Sequence, residues 1–225
     1  MKLEILHQPD SAIAKINLDP QEELVAEAGA MVAMSSNLNV STTLRKGKGG
    51  GIMGGLKRMV AGESLFLSVF RTTAEAGEIY LAPKLMGDLI SYQMKGKTLL
   101  VQSAGYLAST AGVDLELGFQ GFKGFFSGES IFWLKVSGNG VLLINSFGAI
   151  YEIDVDGDYV VDTGHIVAFE DSLNFKISKA NASWWGAIFG GEGLVCRFSG
   201  KGKLYCQTHN PSSFGKAIGG QLPPR

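Results

Sequence analysis

The sequence predicts an all-β chain made of three tandem copies of one strand pattern, and three observations carry that prediction. A short phrase recurs as Glu27-Ala28-Gly29-Ala30-Met31-Val32-Ala33-Met34, Ser103-Ala104-Gly105-Tyr106-Leu107-Ala108-Ser109-Thr110 and Asp162-Thr163-Gly164-His165-Ile166-Val167-Ala168-Phe169. Each copy leads at nearly the same offset into an alternating stretch: Leu38-Asn39-Val40-Ser41-Thr42, Val113-Asp114-Leu115-Glu116-Leu117 and Leu173-Asn174-Phe175-Lys176-Ile177. Helical periodicity is nearly absent; only 56–60 and 180–188 carry a pattern for a turn or two of helix, and glycines crowd both.

Each element has its own reason. Alternation with period two sets Leu, Val, Phe and Ile on one face and polar residues on the other, which is half-buried sheet. The repeated glycines Gly29, Gly105 and Gly164 read as a kink or bulge, where a Cβ would clash or φ turns positive. Each phrase follows a predicted hairpin, turning at Asp19-Pro20, Lys95-Gly96 and Asp156-Gly157. Beyond the alternating strand comes a glycine-glutamate step into an apolar strand, at Gly62-Glu63, Gly128-Glu129 and Gly191-Glu192. Two copies then show a glycine turn, Gly138-Asn139-Gly140 and Gly200-Lys201-Gly202. The resulting units span approximately 1–85, 86–145 and 146–210, with 211–225 as a C-terminal tail in a single compact protein. Each unit is apolar on one face and needs a neighbouring sheet to cover it, so tandem β-sandwich units are expected.

Composition limits the functional classes. A chain of 225 residues buries roughly 70% of its unfolded surface without staples. Hydrophobic residues make up 45% and charged residues 18%, a balance that points to apolar surface shared with a partner, and a homo-oligomer is expected. Lysine plus arginine number 20 against 21 aspartate plus glutamate, so no global field steers the protein to nucleic acid, and none is expected as a partner. The start lacks an export signal and no apolar run approaches the ~20 residues of a membrane span, which reads as a soluble, cytoplasmic protein. Cys196 and Cys206 fall in the two arms of a predicted hairpin around Lys201. A cross-strand disulfide is one geometry, and two small apolar residues packed in a sheet is the other, which the absence of an export signal favours.

The stretch Arg45-Lys46-Gly47-Lys48-Gly49-Gly50-Gly51-Ile52-Met53-Gly54-Gly55-Leu56-Lys57-Arg58 running into Gly62-Glu63-Ser64-Leu65-Phe66, together with the repeated phrases, resembles the altered-inheritance-of-mitochondria protein family over nearly the whole chain. Fungal members are associated with the mitochondrial inner membrane and its organisation, while bacterial members are largely uncharacterised. The resemblance implies a fold similar to the tryptophan RNA-binding attenuation protein, a β-sandwich related to double-stranded β-helices, with three such units around a pseudo-threefold axis. It supplies no catalytic residues. No transit segment is read here, so the mitochondrial location is not carried over.

The candidate surface lies between the alternating strand and the glycine-glutamate step. Ile52, Met53, Lys57 and Arg58 in the first copy, Phe125 and Phe126 in the second, and Trp184 and Trp185 in the third set large apolar side chains among glycines. With rotational pseudosymmetry these segments emerge at one end as an apolar patch with a basic rim, suited to a protein partner or a membrane interface. The alternative is that they fold over the core or bury one another in an oligomer. Gly49 to Gly54 fits Gly-x-Gly-x-x-Gly but lacks the βαβ setting that gives the pattern its mechanism. Neither a nucleophile elbow nor a paired-histidine spacing is present, and His165, beside a repeat glycine, reads as a packing or turn residue. Glu152, Asp154, Asp156 and Asp158 alternate along a strand that holds them apart, so they read as an outward face rather than a calcium site. The expected function is that of a non-enzymatic scaffold or interaction protein without cofactor or metal. The alternative is a small-ligand or RNA-binding ring, by analogy with the attenuation-protein fold.

Overall fold

The structure, a computed structural model, describes residues 1–44, 66–120, 132–179 and 194–222. These form an all-β fold with one short helix. In chain order the strands are β1 (Lys2–Leu6), β2 (Ile13–Leu18), β3 (Glu23–Glu27), β4 (Met31–Met34), β5 (Asn39–Leu44), β6 (Phe66–Arg71), β7 (Gly77–Leu81), β8 (Leu89–Lys95), β9 (Leu99–Gln102), β10 (Tyr106–Thr110), β11 (Val113–Gln120), β12 (Phe132–Asn145), β13 (Ile150–Asp162), β14 (Ile166–Glu170), β15 (Asn174–Lys179) and β16 (Leu194–Gln207). Helix α1 (Pro211–Gly219) follows. One sheet has the order β1-β2-β7-β4, and a second runs β13-β16-β14-β9-β12-β10-β3-β6-β5 with β8, β11 and β15 added at its sides.

The predicted hairpins at Asp19-Pro20, Lys95-Gly96 and Asp156-Gly157 are not hairpins. Strand β2 pairs with β1 and β7, and β3 pairs with β6 and β10, so the two never pair with each other. Strands β8 and β9 likewise lie against opposite ends of β12. Strand β13 passes straight through, with Gly157 opposite Gly200. At each site the chain changes course, from the first sheet to the second at Asp19-Pro20, from one end of β12 to the other at Lys95-Gly96 and by a bend within β13 at Asp156-Gly157, and each holds one residue of left-handed φ: Gln21 at 65°, Gly96 at 73° and Gly157 at 107°. The glycine turns predicted at 138–140 and 200–202 are likewise bends inside β12 and β16. The physical reason is that both strands of a paired ribbon bend together, so positive φ redirects the chain without reversing it. Cys196 and Cys206 therefore lie on one strand rather than facing across two, and both are buried and free, as packed small residues.

The three repeated glycines differ in their surroundings. Gly29 takes φ of +88° with open space around it, Gly105 is buried with Val167 Cγ1 3.0 Å from where a Cβ would sit, and Gly164 faces Asn210. Strand register explains the mismatch. Met31, Tyr106 and Ile166 each open their strand, and in each the register shifts before the next paired alanine, Ala33, Ala108 and Ala168. This alignment sets Gly29 with Ala104 and Gly164, and moves Gly105 one place along to Ala30 and His165. The glycines that do share a role are Gly77, Gly140 and Gly202. A Cβ at each would approach the apolar residue leading into the alternating strand: Leu38 Cδ1 at 2.4 Å, Val113 Cγ2 at 3.3 Å and Leu173 Cγ at 3.1 Å respectively. Alternation holds along β11 and β15, whereas Val40 of β5 is exposed.

Three apolar clusters fill the interior, and each borrows from the next segment of chain. Ile16, Leu24, Phe70, Ile79 and Leu81 pack with Leu107 and Leu143. Val101, Tyr106, Leu134 and Leu142 pack with Val25 on one side and Val167 on the other. Phe169, Phe198 and Leu204 pack with Leu100 and Trp133, and Phe169 meets Trp133 edge-on at 5.1 Å. Two seams join these clusters by strand pairing, β10 against β3 and β14 against β9. The buried Tyr106 hydroxyl crosses the first seam to donate to the Val25 carbonyl at 3.1 Å. Glu170 closes the second, accepting from Lys97 Nζ at 2.6 Å and from the Lys203 amide at 3.1 Å. Burial alone would push the Glu170 carboxyl up, but those hydrogen bonds and the two lysine charges outweigh it and hold it below the usual carboxylate range.

Two predictions follow from this packing. At Gly140 φ is +142° and a Cβ would lie 2.1 Å from Thr110 Oγ1, which accepts from the Val141 amide; Gly140→Ala is expected to cost about 1–3 kcal/mol in urea unfolding. Because the Glu170 pKa is depressed in the fold, its contribution is full above the unfolded carboxylate pKa and is lost as pH falls through the folded value. Glu170→Gln should therefore flatten the acid limb of the stability curve below about pH 4.5 while lowering stability at neutral pH.

Candidate functional site

The eight residues singled out for partner or membrane binding, Ile52, Met53, Lys57, Arg58, Phe125, Phe126, Trp184 and Trp185, lie outside the described residues, as do the glycine-glutamate steps. The strands that flank them are well defined. The three segments 45–65, 121–131 and 180–193 each join cross-strand partners: Leu44 pairs with Phe66, Gln120 with Phe132 and Lys179 with Leu194. One residue further on, Leu67 pairs with Glu27, Trp133 with Gln102 and Val195 with Asp162. The stems of all three segments thus stand at the start of the three recurring phrases, against Glu27, Gln102 just before the second, and Asp162.

Those phrases meet at a cavity of about 580 Å³. Its wall draws on every part of the chain: Glu27 and Lys84, then Gln102, Asn145 and Phe147, then Thr163, Gln207 and Asn210. Glu27 and Lys84 form an ion pair at 2.5 Å across the exposed rim. The buried Gln207 side chain ties two turns together, accepting from the Phe147 amide at 2.9 Å and donating to the Gly164 carbonyl at 2.9 Å. Thr163 Oγ1 donates to the Leu194 carbonyl at 2.9 Å, linking the cavity wall to the stem of the third segment. Asn145 is buried, and its Nδ2 has no hydrogen-bond partner among the described residues. His165 hydrogen-bonds the Gln207 carbonyl through Nδ1 at 2.8 Å, the turn role expected of it.

Helix α1 closes one side of this cavity and was not foreseen; 211–225 reads in sequence as a tail. The signal was available in Asn210-Pro211. The Asn210 side chain accepts from the amides of Ser212 and Ser213, and Pro211 occupies the first turn, where its missing N–H costs nothing. Phe214 packs on Phe147 with ring centroids 5.0 Å apart.

The wall offers amide hydrogen bonds, one neutralised ion pair and an aromatic face, groups suited to holding a ligand or a chain segment. Burial pushes both the Cys196 and Cys206 thiols up to about 12, so they are protonated and inert at neutral pH. Glu152 and Asp154 pair with Lys203, and Asp156 pairs with Lys201, on an exposed sheet face. Among the described residues no group of three or more His, Cys, Asp or Glu side chains is arranged to hold a metal ion. No described helix is long and apolar enough to cross a membrane.

The cap predicts a specific sensitivity. A Cβ on Gly164 would lie 2.1 Å from the Asn210 amide nitrogen, so Gly164→Ala is expected to displace Asn210 and release the N-terminus of α1. Hydrogen exchange at the Ser212 and Ser213 amides should accelerate roughly fivefold, the equivalent of losing one cap of about 1 kcal/mol, with sheet amides unchanged.

Comparison with known proteins places the chain in a family. The model of the family described as Mitochondrial biogenesis AIM24 matches residues 3–209. A Streptococcus pyogenes (serotype M6) protein described as uncharacterised is 30% identical over 218 residues, covering 94% of this chain and 87% of its own length. The crystal structure of a Streptococcus pyogenes protein superposes with a TM-score of 0.80 at 26% identity, covering 98% of this chain and 99% of that one. With the family model spanning nearly the whole chain, this protein belongs to the AIM24 family.

Proposed function

We propose that this protein is a non-enzymatic scaffold that docks on a membrane interface through its three glycine-rich apolar segments. The observation that carries this reading is the arrangement of the stems: Leu67 and Val195 pair with Glu27 and Asp162, which open the first and third phrases, Trp133 pairs with Gln102 just before the second, and Glu27 and Gln102 line the same cavity. The third stem joins the same cavity through Thr163, whose hydroxyl donates to the Leu194 carbonyl. A lipid interface is favoured over a protein groove by the segments' composition, in which Trp184, Trp185, Phe125 and Phe126 supply interfacial aromatics and Arg45, Lys46, Lys48, Lys57 and Arg58 supply charge for anionic headgroups.

In this reading the chain is three units of one β module that meet at the cavity. Support comes from the matching register shifts at Ala33, Ala108 and Ala168 and from the glycines at 77, 140 and 202. A second reading, small-ligand binding in the cavity, is favoured by the unpartnered Nδ2 of the buried Asn145. Native mass spectrometry of protein taken from its own cells tests it, and a ligand-free mass throughout rules it out.

Vesicle flotation tests the membrane reading. Wild type is expected to float with phosphatidylglycerol-containing vesicles, and Trp184→Ala with Trp185→Ala should lower partitioning by about tenfold or more at unchanged stability. Wild type remaining in the soluble fraction contradicts the proposal.

A further inference from the structure

The two seams inside the chain follow one rule. In the first, Ala108, Ser109 and Thr110 of β10 lie opposite Ala26, Val25 and Leu24 of β3. In the second, Ala168, Phe169 and Glu170 of β14 lie opposite Val101, Leu100 and Leu99 of β9. Each joins the strand in the second half of a recurring phrase to the strand that leads into the previous phrase. Applied to the ends of the chain, the rule leaves two strands unmatched. Strand β4 forms the second half of the first phrase and has no earlier strand to join, and the second half of β13 leads into the last phrase and has no later one.

Exposure agrees. Leu107 and Val167, at the centres of the seam strands, are 0% and 1% exposed, whereas Val32 of β4 is 58% exposed and Met31 43%. On the other side Leu99 and Leu100 are 0% and 7% exposed, whereas Tyr159 and Val160 are 42% and 49% exposed. Among the described residues β4 pairs only with β7, and β13 only with β16, and each ends its sheet. Met31–Met34 carries no charge and no proline, and Tyr159–Val161 carries none either; the register shift before Ala33 is also present in β10 and β14, where it does not prevent seam pairing. An unguarded edge templates pairing with another chain.

We propose that β4 of one copy pairs with the second half of β13 of another, making between chains the seam that the fold makes twice within itself. Register transfers from the internal seams. Ala33 corresponds to Ala108 and Ala168, and Val161 to Ala26 and Val101, so Ala33 lies opposite Val161, Met34 opposite Val160 and Ser35 opposite Tyr159. The contact is heterologous, with one edge of each kind per copy, so a closed assembly leaves neither of these two edges free. It stands apart from the membrane reading, since neither strand contributes to the three glycine-rich segments.

Cross-linking tests both pairing and register. Opposite residues in a strand pair bring their Cβ atoms to about 4.5–5.5 Å, so a mixture of Ala33→Cys and Val161→Cys proteins should form an interchain disulfide under mild oxidation. The native cysteines are buried and do not compete. Each variant alone, and Ala33→Cys mixed with Tyr151→Cys, should not form it. In sedimentation velocity, wild type should run above the 24.0 kDa monomer, and Val160→Lys should raise the dissociation constant at least about tenfold by burying an unpaired charge in the seam, with its unfolding midpoint unchanged. Monomeric wild type at every concentration, an assembly that Val160→Lys leaves intact, or cross-linking no better than in the control mixture would each overturn the proposal. Vesicle flotation of Val160→Lys reads the membrane proposal separately.

Discussion

Everything in this fold depends on main-chain pairing carried from one stretch of chain to the next. A short β unit with one apolar face cannot bury that face alone, and three-residue seams supply what each lacks: a row of hydrogen bonds and a set of apolar side chains pushed into the neighbouring cluster. Tyr106 shows how closely the two are coupled. Its ring fills the middle cluster while its hydroxyl bonds the Val25 carbonyl across the seam, so packing and polar satisfaction rest on the same residue. Glu170 does similar work at the second seam with charge instead of an aromatic ring.

The same pairing positions the cavity end. Because Glu27, Gln102 and Asp162 each pair with the strand that emerges from a glycine-rich segment, building the seams also brings the stems of those segments toward the cavity. Gln207 and Asn210 then reinforce that end from the C-terminal side, one by bridging two turns and the other by capping α1. Scaffold and site are therefore not separable layers here. A change that loosens a seam also moves the base on which the proposed docking surface stands.

The strand content, the alternating strands after the second and third phrases, the packed cysteines and the role of His165 were legible in the sequence, because period-two burial and local turn chemistry act over a few residues. The changes of course were not. A glycine beside a polar residue looks the same whether the chain reverses or bends, and only the partner strand distinguishes them, as Gly157 opposite Gly200 shows. The phrase glycines misled for a related reason: Gly105 stands one residue out of step with Gly29 and Gly164, and matching letters concealed what strand register reveals. Gly77, Gly140 and Gly202 escaped notice as a set because their constraint is a distant side chain, Leu38, Val113 or Leu173. The cavity gathers residues more than a hundred positions apart, and no local pattern encodes that.

Amide hydrogen exchange under native conditions, resolved along the seam strands, addresses the dependence on inter-unit pairing most directly. If the seams hold the fold together, the seam-facing amides of β10 and β14 exchange only through global unfolding, with the same denaturant dependence as the interior of β12 and β16. Release of either seam at a distinctly lower free energy, with β12 and β16 still protected, would contradict it.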